Sequence, residues 1–168
     1  LDLIIRNGKC YIDGELKEID VAIKDKKIHQ IGQISEETKE TIDASGHTVL
    51  PGCIDTQTHF REPGSTDTED LHSGSRAAIA GGITSVFEMP NTNPPTSNKK
   101  EFQRKLDLAK NRMYCNYAFY FGATADNADD LASLKDLEGC CGIKLFAGSS
   151  TGNLLVAEED DIDKVFQN

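Results

Sequence analysis

From residue 49 onward the chain alternates β-prone apolar runs with amphipathic stretches, and this rhythm constrains the fold more than any other feature. Strands are predicted over residues 49–60, 83–89, 114–123 and 141–146. A helix is predicted over 69–80, stopped by Gly81-Gly82. A second spans 98–112, with Phe102, Leu106, Ala109 and Met113 on its buried face and Ser97 or Asn98 as its cap. A third is marked by Leu131, Leu134 and Leu137 and ended by Gly139. Alternating units of this length build a parallel sheet with helical crossovers. Four strands and three crossovers are half of an eight-stranded βα barrel, so residues 49–168 read as the N-terminal half of a (β/α)8 TIM-like barrel. Residues 1–48 differ. Short strands at 3–6, 9–12, 19–24 and 28–31 are separated by turns at Asn7-Gly8, Asp13-Gly14 and Asp25 to Lys27, which predicts a small antiparallel unit.

The C-terminal strand ends form the active face of such barrels, and three unusual segments fall there. The first, LPGCIDTQTHFREPG at 50–64, leaves an apolar run and enters a cluster of metal- and anion-holding groups. On an extended strand Asp55, Gln57, His59 and Arg61 point to the same side. An imidazole and a guanidinium two residues apart would bring a divalent cation and a carboxylate-bearing ligand together, although a histidine beside an apolar run is also a common structural residue. The second, EMPNTNPPT at 88–96, breaks a strand into proline and asparagine, as an ordinary loop does too. The third, GIKLFAGSSTG at 142–152, sets Lys144 among apolar residues, from which a lysine often snorkels to the surface.

Composition removes several function classes. Eighteen basic residues stand against 28 acidic ones, a net charge of −10 with no basic block, so nucleic acid is not an expected partner. No apolar run approaches the roughly 18 residues that span a bilayer, and residues 1–6 lack the regions of a signal peptide. Five cysteines, Cys10, Cys53, Cys115, Cys140 and Cys141, are odd in number and without CxxC spacing. They read as reduced, buried thiols of a cytoplasmic protein. The acidic run Glu158 to Asp161 reads as a solvated helix start. The element count and the start without Met imply a piece of a longer chain.

The segments PGCIDTQTHFREPG, AAIAGGITSVFEMPNTNPPT and GIKLFAGSSTG together resemble the amidohydrolase superfamily. Within it they resemble dihydroorotase of the bacterial type related to the dihydroorotase domain of the animal multifunctional pyrimidine enzyme. The resemblance covers roughly residues 45–155. It implies that residues 1–48 are the first part of a small β-sandwich completed by the C-terminus. It also implies zinc, one or two ions. His59 matches the second of the family's two strand-one histidines, and Gln57 stands in place of the first, with an amide oxygen that binds metal more weakly than imidazole. Lys144 matches the strand-four lysine that in many members is carboxylated and bridges two metals. Arg61 resembles the anchor of the substrate carboxylate, with Asn91 as its partner.

The implied reaction is reversible cyclisation of N-carbamoyl-aspartate to dihydroorotate in pyrimidine synthesis. The remaining ligands and the proton-shuttling aspartate are expected in the other half, so no catalytic residue is assigned here and these residues alone are expected to be inert. His29, His47 and His72 have no ligand spacing. The expected partners are the small-molecule substrate and no membrane. A second copy or the complementing C-terminal half is expected to cover the open sheet edge. Two alternatives stand: another cyclic amidase such as allantoinase, or a non-catalytic dihydroorotase-like partner of aspartate carbamoyltransferase, which the Gln57 substitution would suit.

Overall fold

The computed structural model describes residues 1–150 and 152–168 and divides into two compact units, Leu1–Pro51 and Gly52–Asn168. The first unit contains seven short strands: β1 (Leu3–Arg6), β2 (Lys9–Ile12), β3 (Glu15–Glu18), β4 (Asp20–Lys24), β5 (Lys27–Gly32), β6 (Glu40–Asp43) and β7 (Thr48–Val49). They form two sheets, ordered β5-β4-β1-β6 and β3-β2-β7.

The expected antiparallel unit needs correcting, because β6 runs parallel to β1 and β7 runs parallel to β2. The chain passes from the first sheet to the second twice, at Asn7-Gly8 and again at Ala44 to His47, and returns once, at Ile19 between β3 and β4. The second corner tracks the first, with Ala44 N–H donating to Arg6 O (2.8 Å) and Lys9 N–H to His47 O (3.0 Å). A side chain at Gly8 would meet Val49 at 2.7 Å, so the corner requires glycine. Strand β3 was not predicted, since Glu-Leu-Lys-Glu is wholly exposed and carries no apolar alternation.

The second unit carries the parallel sheet. Its strands β8 (Cys53–Thr58), β9 (Ile83–Glu88), β10 (Asn116–Gly122) and β11 (Cys140–Lys144) lie in the order β11-β10-β9-β8, every pair parallel. The strand expected over 49–60 is two strands belonging to different sheets, divided at Pro51, which has no N–H to give to a ladder. Helix α1 (Leu71–Ala80) begins after Asp70, not at 69. The Asp70 carboxylate accepts from Ser73 N–H at 2.6 Å, and the Ser73 hydroxyl returns to the Asp70 backbone, a reciprocal cap. At Gly74 an added Cβ would fall 2.5 Å from the Phe60 ring, so glycine lets α1 lie directly on the residue after His59.

Hydrogen bonding from the Ser73 backbone N–H, and then from the Ser73 side chain, holds the Asp70 carboxyl below the ordinary carboxylate range. Because the folded pKa is depressed, the cap's contribution is present above the unfolded value and is lost as pH falls through the folded one. Asp70→Ala is expected to cost about 1 kcal/mol at neutral pH. The gap from wild type should close in acid, as read by denaturant melts at pH 7 and below pH 3.8.

Helix α2 (Lys99–Ala109) is capped by Asn98, whose side-chain oxygen accepts from Glu101 N–H at 2.9 Å. Its buried residues are Phe102, Lys105 and Ala109, so the charged Lys105 occupies the centre of the predicted apolar face and Met113 lies beyond the helix. Asn111, at φ 61°, turns the chain out of the helix before Arg112. The predicted third helix is one stretch of 3₁₀ geometry over Ala128–Leu134 that stops short of Leu137. Helix α3 (Glu159–Gln167) has Glu159, Asp160 and Asp161 in its first turn, the solvated start expected. The core between sheet and helices gathers Phe60, Leu71, Val86, Phe102, Phe119, Phe121, Leu131 and Leu134.

Cys10 and Cys115 are buried, but Cys53 is exposed and Cys140 and Cys141 are half-buried, which corrects the expectation of five buried thiols; all five are free. Among the described residues no helix is long and apolar enough to cross a membrane.

Candidate functional site

Parallel strands bring their C-terminal ends to one rim, and three of the five candidates lie just past or at such an end. His59 follows β8, Asn91 follows β9 and Lys144 closes β11. The first two meet, with His59 Nδ1 2.9 Å from the Asn91 side-chain oxygen. An amide oxygen only accepts, so Nδ1 carries the proton and Nε2 keeps its lone pair. Burial lowers the His59 pKa, and the positive charges of Arg61, Lys105 and Lys144 lower it further against the opposing Asn91 bond. A neutral imidazole, oriented through its second nitrogen, is what a metal-ligating histidine presents.

Arg61 does not continue the strand, so the expected single face from Asp55 through Arg61 is corrected. Strand β8 ends at Thr58, and Arg61 sits at φ 60° with its carbonyl accepting from Ser65 N–H at 2.9 Å. The left-handed residue turns the loop over, and Arg61 thereby borders a cavity of about 130 Å³ shared with Pro63, Ser65, Asn91, Thr92 and Asn93. Arg61 and Asn91 therefore line one pocket. Thr92 and Thr96 hold the loop beside it, their hydroxyls 3.0 Å apart and Thr92 Oγ1 donating to Pro94 O at 2.9 Å.

Gln57 is exposed on β8, and its backbone N–H is taken by the Asp55 carboxylate at 2.9 Å, which directs Asp55 to its own strand. Lys144 is half-buried with its ammonium 5.0 Å from the centre of the Phe146 ring. The dry surroundings expected for it need correcting, because Ile143 is exposed and Leu145 and Phe146 are only half-buried. The segment behind it includes Thr151, which lies outside the described residues. His29, His47 and His72 are exposed. Among the described residues no three His, Cys, Asp or Glu side chains gather as a metal cluster. Zinc usually takes four ligands, so His59 and Lys144 fit part of a donor set.

Two charge clusters behind the rim were not predicted. Glu62 is buried, accepting two bonds from Arg112 (2.8 and 3.1 Å) and one from Leu71 N–H at the start of α1 (2.9 Å). Glu88 ends β9 and is paired with Lys105 of α2, both wholly buried. Desolvation pushes the Glu88 carboxyl up to about 7 and the Lys105 ammonium down, each against the pull of its partner. Helical spacing held the signal for the second cluster, since residue 105 shares a face with 102, 106 and 109. Nothing in the sequence pairs Glu62 with Arg112.

Residues 48–153 match the model of the amidohydrolase family. Allantoinases of Escherichia coli and Salmonella choleraesuis are each 40% identical over 149 residues, which is 88% of this chain and 33% of theirs. The chain thus spans about a third of the length of the curated relatives it matches. Among solved structures, the L-hydantoinase (dihydropyrimidinase) from Arthrobacter aurescens superposes with a TM-score of 0.89 at 29% identity, over 99% of this chain and 38% of that one. A D-hydantoinase (dihydropyrimidinase) from Thermus sp. superposes with a TM-score of 0.77 at 25% identity, over 95% of this chain and 36% of that one. The parallel βα units preceded by small sheets are therefore the α/β fold of these enzymes, and with a family match across most of the second unit the chain belongs to the amidohydrolase family.

Proposed function

We propose that the protein to which this chain belongs hydrolyses a cyclic amide, with zinc as its metal. The observation that carries this reading is the His59–Asn91 hydrogen bond at adjoining strand ends, which leaves a neutral imidazole nitrogen directed by an amide beside a guanidinium-lined pocket. His59 Nε2 and, once it is carboxylated, the carbamate oxygens of Lys144 would hold the metal, with Gln57 two residues before His59. Zinc bound there would lower the pKa of water and polarise a ring carbonyl. Asn91 fixes the imidazole tautomer, while Arg61 offers a fork to a carboxylate where the ring carries one. Glu62 and Glu88 are held by Arg112 and Lys105, so the proton-transferring carboxylate comes from elsewhere in the protein.

The relatives favour allantoin as the ring, since the curated ones are allantoinases. Dihydroorotate is the second reading, and one observation favours it. Arg61 lines a small pocket with Asn91 and Ser65, a fork suited to the carboxylate that dihydroorotate carries and allantoin lacks.

The zinc-loaded full-length protein, assayed with allantoin, hydantoin and dihydroorotate, separates these readings. If dihydroorotate is the ring, Arg61→Met should raise its KM by at least about tenfold, the scale of one charged hydrogen bond lost. If allantoin is the ring, the same variant should leave KM within about twofold. Turnover of none of the three by zinc-loaded protein would refute the enzymatic reading and leave the non-catalytic one.

A further inference from the structure

The Glu88–Lys105 pair takes no part in the chemistry above, and its setting is unusual for two charges. Lys105 has no exposure, and its ammonium lies 5.0 Å from the centre of the Phe119 ring. Such a pair is a weak source of stability, because desolvation of both ions offsets their attraction, and apolar residues of equal volume often serve as well.

What the pair holds is more specific. Lys105 donates to the Met89 carbonyl at 2.9 Å, two residues before Asn91. Glu88 is the register partner of Thr58, the residue directly before His59. Met89 N–H in turn donates to Thr58 O at 2.9 Å, directly before His59. The backbone on both sides of the His59–Asn91 bond is thus tied to the ion pair or to its neighbour.

We propose that Glu88 and Lys105 are positioning residues that clamp the ends of β8 and β9 from behind, fix the His59–Asn91 hydrogen bond, and so set the direction of His59 Nε2. This rests on the hydrolytic reading of the site. The clamp joins side chains in the sheet–helix core to groups on the rim, so it acts on the reaction without touching the substrate.

The test uses the zinc-loaded full-length protein and two double variants. Glu88→Gln/Lys105→Met removes both charges and the donor to Met89 O, whereas Glu88→Gln/Lys105→Gln keeps a neutral donor–acceptor chain. The Gln/Met form is expected to stay folded, as read by thermal melting, and to lose about tenfold to hundredfold in kcat with KM within about twofold. In ¹⁵N-labelled protein its His59 Nδ1 proton should exchange rapidly with water. The Gln/Gln form should recover most of the kcat and the protected Nδ1 proton. A folded Gln/Met protein with wild-type kcat and a protected Nδ1 proton would overturn the proposal. So would unfolding of both doubles, which would make the pair a structural element only. If the wild type turns over no ring, the hydrolytic reading fails while the His59 proton still decides whether the clamp exists.

Discussion

Lys105→Met alone is expected to destabilise the protein by about 3–5 kcal/mol, the cost of leaving a buried charge without its partner. Methionine fills the space beneath Phe119 and is a good helix former, so neither packing nor propensity accounts for a loss of that size. The loss comes from Glu88, 1% exposed, whose carboxylate would have to take up a proton or stay charged in an apolar core. Lowering the pH protonates that carboxyl, so the deficit should shrink in acid. The sign follows from a folded pKa already pushed up to about 7 in the wild type, and higher once the ammonium is removed. Thermal melts of Lys105→Met at pH 5 and pH 8 measure it: a deficit equal at both would show that Glu88 is not the cause. Adding Glu88→Gln should recover most of the stability.

Glu62→Ala is expected to cost about 2–3 kcal/mol, because it removes a carboxylate that accepts three bonds, two of them charge-assisted. The loss is smaller than for Lys105 because Arg112, about a third exposed, turns to water and keeps its bond to Leu108 O. The leading amide of α1 has no such escape. Glu62 also follows Arg61, so the functional effect falls on the pocket: the loop holding the guanidinium is anchored to α1 and to the end of α2 through this one side chain. On a carboxylate-bearing ring, Glu62→Ala should therefore raise KM more than it lowers kcat. Glu62→Gln, which keeps acceptors for Leu71 and Arg112, should retain about half the stability. Equal stability of the Ala and Gln variants in urea melts would count against this account.

The parallel sheet was legible because its strands are apolar runs separated by helical stretches, with glycines at Gly81-Gly82 and Gly139 shortly before the strands that follow. The first unit was less so. The parallel placement of β6 and β7 depends on two corners separated along the chain by several strands, and Gly8 looks like any hairpin glycine until Ala44 and Val49 close on it. At the site, His59 and Asn91 were legible as residue types at strand ends. Their hydrogen bond was not, because it depends on where β8 stops. The placement of Arg61 beside Asn91 was not legible from strand alternation, since alternation carries no information past a residue in the left-handed region. The burial of Lys105 was not legible, because a lysine on the apolar face of a helix ordinarily reaches for solvent.

The order of strands in the second unit also bears on how the chain finds its fold. In the sheet, neighbours in space are neighbours along the chain: Cys53 pairs with Ile83, Ser85 with Asn116, and Phe119 with Cys140. Each pairing closes a single crossover, so the closure entropy rises only once per strand added and the sheet can grow by accretion from β8 toward β11. The first unit has no such path, because β1 must wait for β6 and β2 for β7, partners made much later in the chain. During synthesis from the N-terminus, the small sheets would begin first and finish their pairing only once residues 40–49 have arrived, whereas each βα unit can add to the one before as it emerges.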